Sequence, residues 1–358
     1  MKISEYYEEK QVREFENTSG RDNILINGNF DIWQRGTSFA AIAANAYSVD
    51  RLTQTHVTDA VYTILRDTDV PTQAESGIKS NYSLKLDVTT ADASITAGEY
   101  VMLQQRLEGY DFTPLVGKTA TLSFWVKAVK AGIYCVNFGN NVDRSYIVEY
   151  TINTASTWEK KTVTLDFDYT GGTWDYTNGT GLVVEWCLAV GSTYQTTADA
   201  WQTGTFLGTV NQVNGVDSTD NNFWLAQIKL EEGSVATPFV PRPIGEELAL
   251  CQRYYEKIGQ NSIASGSATT EFITAIDFKV SKRTTPTIEL LETSNVRFLR
   301  YGVGYKDAAS PSISGSYVTT EKALISIIGF SGIATDDIAY IYGTTSGESE
   351  IFAFDAEL

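Results

Sequence analysis

Short alternating runs of apolar residues recur along most of this chain, and no stretch between them keeps a helical period for a useful length. Leu84, Leu86 and Val88 form one run, Leu122, Phe124 and Val126 a second, and Tyr146, Val148, Tyr150 and Ile152 a third. Val163, Leu165 and Phe167 follow, then Leu182, Val184, Trp186 and Leu188. A period of two puts every second side chain on the same face, which is the pattern of a strand with one buried side. Gly- and Asn-rich turns separate the runs, beginning with Asn27-Gly28 and the breaker Gly36. Strands this short and numerous must stack two sheets face to face to hide their apolar sides. Residues 23–243 are therefore expected to form an all-β fold, a large jelly-roll β-sandwich.

The stretch from Phe223 to Tyr255 closes that domain. Trp224, Ala226, Ile228 and Leu230 are predicted on one face of a last strand, with Leu225, Gln227, Lys229 and Glu231 on the other. Gly233 and then Pro238, Pro241 and Pro243 end the ladder and hold the chain extended. Pro243 presets a first helical turn, Glu246 and Glu247 lie early, Arg253 and Lys257 late, and Gly259 is a stop. A short linker helix over 244–259 follows from that order. Its stripe of Leu248, Cys251, Tyr255 and Ile258 must be covered by a domain or by copies of itself. Beyond it, Phe272, Thr274, Ile276, Phe278 and Val280 alternate, and Leu324 to Ile328 and Ile351 to Phe354 do likewise. They predict a small C-terminal β-sandwich over 260–358. Residues 1–22 are polar, with Ile3, Tyr6, Tyr7, Val12 and Phe15 at loosely helical spacing, and read either as a docking segment or as a frayed terminus.

Charge and rare residues exclude several functions. Among 358 residues the net charge is −17, so there is no basic stripe to neutralise the phosphates of a nucleic acid. Acidity also repels anionic membrane surfaces, and no 18-residue apolar run offers a span, so membrane insertion is not expected. The start, MKISEYYEEK, lacks the apolar core of a signal peptide, which predicts synthesis and folding in a cytosol. Three cysteines, Cys135, Cys187 and Cys251, form no CxxC pair, and the first two fall in strand-like runs as apolar fillers. The single histidine, His56, removes multi-histidine metal sites and reads as one side chain of a strand.

All seven tryptophans, residues 33, 125, 158, 174, 186, 201 and 224, precede the linker. Most are expected in the core. Trp125 stands opposite the Leu122, Phe124 and Val126 face, Trp174 lies in the Gly- and Asn-rich loop DFDYTGGTWDYTNGTG, and Trp201 lies in another polar stretch. Flat rings beside Asp, Asn and Tyr are what sugar recognition uses: a ring for the apolar face of a pyranose and short polar side chains for its hydroxyls. Trp174, Tyr176, Asn178, Tyr194 and Trp201 are the candidate carbohydrate-binding residues, with loop anchoring as the other reading of each tryptophan.

Several strings add up to a recognisable whole. NILINGNFDIWQRGTSF, YSVDR at 47–51, FWVKA at 124–128, TWEKKTVTL at 157–165, GLVVEWCLAVGS at 181–192, GTVNQVN at 208–214 and the Phe223–Tyr255 stretch occur in order. Over residues 23–259 the chain resembles tail fibre or minor tail proteins of tailed-bacteriophage virions, whose main domain is similar to jelly-roll carbohydrate-binding modules. FxxxIDFKVSKRTTPTI at 272–288 looks like the small β domains that end such fibres. The resemblance implies a virion component, a homotrimer docked on other virion proteins through residues 1–22, that touches a host cell-surface glycan without catalysis or cofactor. Related modules hold a structural calcium ion, with one ligand after the NGxF string, here Asp31. The last-strand position that carries paired aspartates in the pattern reads Ala226-Gln227 here, and the acidic DSTDNN loop at 217–222 lacks the Gly and Glu of an EF-hand. Two other roles stand beside the adhesive one. A glycan depolymerase would need a carboxylate pair, for which Asp166, Asp168 and Asp175 are candidates. A capsid-decorating fibre or tail adaptor would bind only virion proteins.

Overall fold

The computed structural model describes residues 23–358 except 141, 169, 260–262, 269, 292–295, 301–303, 309, 332, 334–337 and 344–349. The docking segment expected over residues 1–22 lies outside the described residues. The chain divides into two compact units, one running to Glu247 and including Leu358, the other Leu248–Glu357.

Twelve strands build the first unit. They are β1 (Ser38–Phe39), β2 (Leu52–Val57), β3 (Val61–Asp67), β4 (Ser83–Thr90), β5 (Tyr100–Glu108) and β6 (Thr119–Ala128). Then come β7 (Gly132–Gly139), β8 (Arg144–Ile152), β9 (Glu159–Asp166), β10 (Thr180–Val190), β11 (Trp201–Thr203) and β12 (Asn222–Glu232). Two one-turn helices, α1 (Gln73–Ser76) and α2 (Gly109–Phe112), interrupt them. The strands form two six-stranded sheets, ordered β1-β3-β4-β12-β6-β9 and β11-β8-β7-β10-β5-β2. All pairings between these strands are antiparallel. The unit is a jelly-roll β-sandwich.

Its core is the set of inward residues that the alternation marks. Leu84, Leu86 and Val88 meet Leu122, Phe124 and Val126 and, from the facing sheet, Leu182, Val184, Trp186 and Leu188. Trp186 is fully buried with its ring edge-on to Phe124 at 5.8 Å. Burying a side chain of this size stabilises by roughly 1.5–3 kcal/mol. The N-terminal segment is sewn along β12: Ile24 N–H donates to Leu230 O at 2.8 Å, and Gln105 clamps Ile26 through both its amide nitrogen and oxygen at 2.8 Å. The Asn27-Gly28 turn has Asn27 at φ 59°, and a Cβ on Gly28 would lie 2.3 Å from Ile228 O, so only glycine fits there.

Strand β12 departs from the simple alternation. Gln227 sits at φ 49°, and the register against β6 shifts between Ala226 and Lys229. This β-bulge flips the phase: Phe223 and Leu225 enter the core before it, Ile228 and Leu230 after it. Trp224 therefore does not share a face with Ile228 and Leu230. Its indole N–H reaches Asp67 at 3.0 Å, and the Lys127 ammonium lies 4.2 Å above its ring.

The linker helix is shorter than predicted. Helix α3 spans Ile244–Gln252, and Tyr255–Gly259 is a strand, β13. The β pairing of that segment with Glu350–Asp355 overrides its charge pattern. Tyr255 and Ile258 thus lie on a strand and not on the predicted helix, Cys251 is fully buried and Leu248 partly so, and the stripe expected on the helix does not form.

The second unit continues with β14 (Ile263–Ala268), β15 (Glu271–Asp277), β16 (Thr287–Leu290), β17 (Val296–Arg300) and β18 (Gly304–Asp307). It ends with β19 (Ser312–Val318), β20 (Lys322–Ile328), β21 (Ile338–Gly343) and β22 (Glu350–Asp355). They make a three-stranded sheet, β13-β22-β16, and a seven-stranded one, β18-β17-β21-β14-β15-β20-β19. Phe272, Ile276, Ile325, Ile327, Phe352 and Phe354 are buried in its core. A buried ion pair, Lys282 with Glu256 at 2.6 Å, lies within it. Burial lowers the Lys282 pKa against the opposing pull of Glu256.

Candidate functional site

The second sheet of the sandwich turns its core-averted face to a cleft. Register places side chains there in rows across the strands: Thr53, Gln104, Glu185 and Asn137 in one, Thr55, Met102, Cys187 and Cys135 in the next. Met102, Cys135, Ile147, Cys187, Val190 and Leu207 form a small apolar cluster, with Tyr100, Tyr194 and Phe206 packed against it. Cys135 and Cys187 are buried and form no disulfide, and burial pushes both thiols up, Cys135 to about 11.

Two loops wall the cleft. On one side Asn45, held at φ 63°, accepts from the Thr55 hydroxyl at 3.0 Å, and its N–H donates to Gln54 O at 2.9 Å. On the other the 3₁₀ turn Ser192–Tyr194 carries Tyr194, tied to Leu207 N–H through its carbonyl at 2.9 Å. Between them is a cleft of about 360 Å³, with Tyr100 and Tyr194 edge to face at 5.2 Å along one wall. Asn45, Thr55, Gln104 and Arg106 supply its polar lining.

Beneath the lining lies a carboxylate. Glu185 is 2% exposed, and burial pushes its carboxyl up to about 7 against the lowering pull of an Asn137 hydrogen bond and the Arg106 charge. One end of the Gln104 amide is 2.9 Å from Glu185 Oε1; the other is 2.8 Å from Thr55 Oγ1 and 3.1 Å from Arg106 Nη2. Arg106 Nη1 donates to Leu358 O at 2.7 Å, and Arg51 donates to the Arg106 carbonyl at 2.6 Å. Arrays of this kind, aromatic rings beside amide, hydroxyl and guanidinium groups, can hold a polyhydroxylated ligand by ring contact and hydrogen bonds.

A second, more open concavity of about 640 Å³ lies where loops meet at one end of the sandwich. Asn140, Thr173, Trp174, Asp175, Tyr176 and Thr177 line it. Trp174 stacks on Phe112 at 5.0 Å, meets Trp201 edge-on at 5.8 Å, and spends its N–H on Gly171 O at 2.6 Å. Trp201 packs at 5.3 Å on Tyr146 and donates to Asp166 O at 2.9 Å. Both indoles thus fasten their loops to the sandwich. Tyr176, stacked on Phe112 at 6.3 Å, is 41% exposed, and Asn178 is exposed in the same loop.

The five sugar candidates therefore divide. Trp174, Tyr176, Asn178 and Trp201 belong to the loop end, whereas Tyr194 alone lies in the sheet-face cleft. Gln104, Arg106 and Glu185 were not singled out from sequence. Their signal was present: polar residues within YVMLQQRLE and TGLVVEWCLAV, runs otherwise apolar enough to be buried.

The candidate acids are each engaged separately. Asp168 is paired with Arg144, and although burial raises its pKa, bonds from Thr170 and Arg144 bring it below the usual carboxylate range. Asp166 accepts from the Thr119 hydroxyl, and Asp175 from the Thr177 hydroxyl at 2.7 Å. Asp217, in the 217–222 loop, pairs with Lys130. His56 contacts Tyr62 and Gln54, and burial lowers its pKa.

Around Asp31 a hydrogen-bond chain runs instead of a cage of carboxylates. Asn29 Nδ2 donates to Asp31 at 2.8 Å, Ser80 Oγ to Asn29 Oδ1 at 2.6 Å, and Gln227 Nε2 to Ser80 Oγ at 2.9 Å and Ser76 Oγ at 3.0 Å. Burial raises the Asp31 pKa, partly offset by the Asn29 bond. Among the described residues no group of three His, Cys, Asp or Glu side chains could hold a metal ion. A calcium ion here would have to draw on amide and backbone oxygens besides Asp31, and the buried Gln227 Oε1 in the same network has no hydrogen-bond partner.

No family model matches the chain, and no curated protein matches it in sequence. Solved structures do. The enzymatically active domain of tailspike protein 4 from bacteriophage CBA120 is similar over 60% of this chain and 22% of its own, at 13% identity and a TM-score of 0.32. TmCBM61, solved in complex with beta-1,4-galactotriose, is similar over 59% of this chain and 99% of its own, at 10% identity and a TM-score of 0.30. The family 11 carbohydrate-binding module from Clostridium thermocellum, in complex with a beta-1,3-1,4-mixed-linked tetrasaccharide, is similar over 56% and 98%, at 13% identity and a TM-score of 0.30.

Proposed function

We propose that the N-terminal sandwich is a glycan-binding module and that the chain is a structural, adhesive component of a tailed-bacteriophage virion. The observation that carries the binding reading is the sheet-face cleft, which Tyr100 and Tyr194 line together with Asn45, Thr55, Gln104 and Arg106. Rings and a row of hydrogen-bonding groups along one face are the two kinds of contact that sugar units take. Binding without turnover is the reading we favour, because the described residues lining the cleft include no carboxylate pair to serve as acid and base. The virion assignment rests on the sequence strings of residues 23–259. With it go the host cell-surface glycan as ligand, attachment to other virion proteins through residues 1–22, assembly as a homotrimer, and synthesis in the host cytoplasm. No nucleic acid or membrane is a partner in this reading; among the described residues no helix is long and apolar enough to cross a membrane.

The test is a glycan array probed with the full chain and with Tyr194→Ala. Host-type oligosaccharides should be retained by the first and lost by the second. An array blank for the unaltered chain would sink the glycan reading and leave an architectural fibre.

A further inference from the structure

Arg106 is the only charged side chain among the described residues lining the cleft, in a chain whose net charge is −17. A lone guanidinium in an acidic protein marks where a negative ligand group is tolerated, since its planar donors suit a carboxylate. We infer that the cleft receives a sugar bearing a carboxylate, a uronic or sialic acid unit, seated on Arg106, with its grip set by the facing of the Gln104 amide. The inference rests on the glycan reading of the cleft and narrows its ligand.

Gln104 bridges Arg106 to the buried Glu185, and its two ends cannot both be satisfied in the same way in both charge states of that acid. With Glu185 ionised, the amide nitrogen must face its Oε1 at 2.9 Å. The amide oxygen then lies 3.1 Å from Arg106 Nη2 and accepts from it. With Glu185 protonated, its hydroxyl donates to the amide oxygen, and the nitrogen turns to Thr55 Oγ1 at 2.8 Å. Thr55 passes the chain on to Asn45 Oδ1 at 3.0 Å. Arg106 Nη2 then faces the amide nitrogen at 3.1 Å, donor against donor, and a ligand carboxylate supplies the acceptor it lacks there. Nη1 stays on Leu358 O throughout.

The groups facing Glu185 make this exchange possible near neutrality. Arg106 on β5 and the neutral Asn137 on β7 hold its charge, burial opposes it, and the carboxyl titrates at about 7. Tyr100 on β5 and Cys187 on its own strand have pKa values raised first by burial and further by the Glu185 charge. A ligand carboxylate on Arg106 adds a second negative charge beside Glu185 and favours its protonated form. Binding should therefore take up a proton and strengthen as pH falls through 7, until the sugar acid itself is protonated.

The experiment is a titration of the full chain, from pH 8.5 to 5.5, with a panel of uronate- and sialate-bearing oligosaccharides beside neutral ones of equal length. Acidic members should bind and tighten by roughly tenfold over that range. Arg106→Gln should lose the acidic preference, Arg106→Lys should keep part of it, and Glu185→Gln should bind with little dependence on pH. Thermal melts of the three variants report whether they fold. If neutral oligosaccharides bind as well as acidic ones and Arg106→Gln changes nothing, the inference is overturned while the glycan reading stands. If no oligosaccharide of either kind binds, both fall.

Discussion

Gln104 and Glu185 face each other across neighbouring strands, with one end of the amide 2.9 Å from a carboxylate oxygen of a residue only 2% exposed. A buried acid held by amides rather than by a full salt bridge keeps its proton to a higher pH than usual, and this has a measurable effect on stability. Burial raises the Glu185 pKa from 4.5 to about 7. Between those values the folded chain retains a proton that the unfolded chain has released, so stability falls as pH rises through the window. The loss is on the order of 3 kcal/mol by pH 8. Glu185→Gln removes this dependence. In urea unfolding of the first unit, the variant should match the parent near pH 5 and exceed it at pH 8.

Trp174 stacks on Phe112 and braces Trp201. Trp174→Ala should lower the stability of the first unit by about 2 kcal/mol, less than the loss of a fully buried ring because this one is only partly buried. Chemical denaturation checks the stability. Unchanged unfolding in that variant would return Trp174 to the role of a free ligand platform.

Lys282 and Glu256 form an ion pair with neither side chain exposed. Removing this cation leaves the buried carboxylate with only the mostly exposed Lys279 ammonium, 3.7 Å away, so Lys282→Ala should destabilise the second unit by about 3 kcal/mol. Replacing both partners by apolar residues of similar volume should restore most of it. Calorimetry should place the shift in the transition of the second unit.

Around Asp31, a chain of hydrogen bonds through Asn29, Ser80 and Gln227 engages the polar side chains, and among the described residues no group of three His, Cys, Asp or Glu side chains could hold a metal ion. Chelation with EDTA should therefore leave Tm unchanged, as should added calcium. A fall of several degrees on chelation would show that the Asp31 network does take a metal.

Much of the first unit could be read from alternation, because inward positions in a sandwich are set by local periodicity: Leu84, Leu122 and Leu182 all lie where the pattern puts them. The reading failed where a single backbone angle changed the phase, as at Gln227, whose positive φ no composition rule reveals. It failed again at Tyr255, where pairing with a strand a hundred residues later outweighed local helix signals. Of the five sugar candidates, Tyr194 lies at the sheet-face cleft, and Trp174, Tyr176, Asn178 and Trp201 lie at the loop end. Aromatic residues in loops attract attention as ligand platforms, yet Trp174 and Trp201 turn their rings inward. The polar cleft residues are drawn from three strands and a loop, Gln104 and Arg106, Glu185, Thr55 and Asn45, and only register brings them together.

The most direct test of the central claim is a calorimetric titration with an oligosaccharide retained on the array, performed on the parent chain, Tyr194→Ala and Trp174→Ala. A cleft on the sheet face predicts that the parent and Trp174→Ala bind alike and that Tyr194→Ala loses binding while remaining folded. Binding kept by Tyr194→Ala and abolished in a folded Trp174→Ala would put the ligand at the loop end and contradict the account.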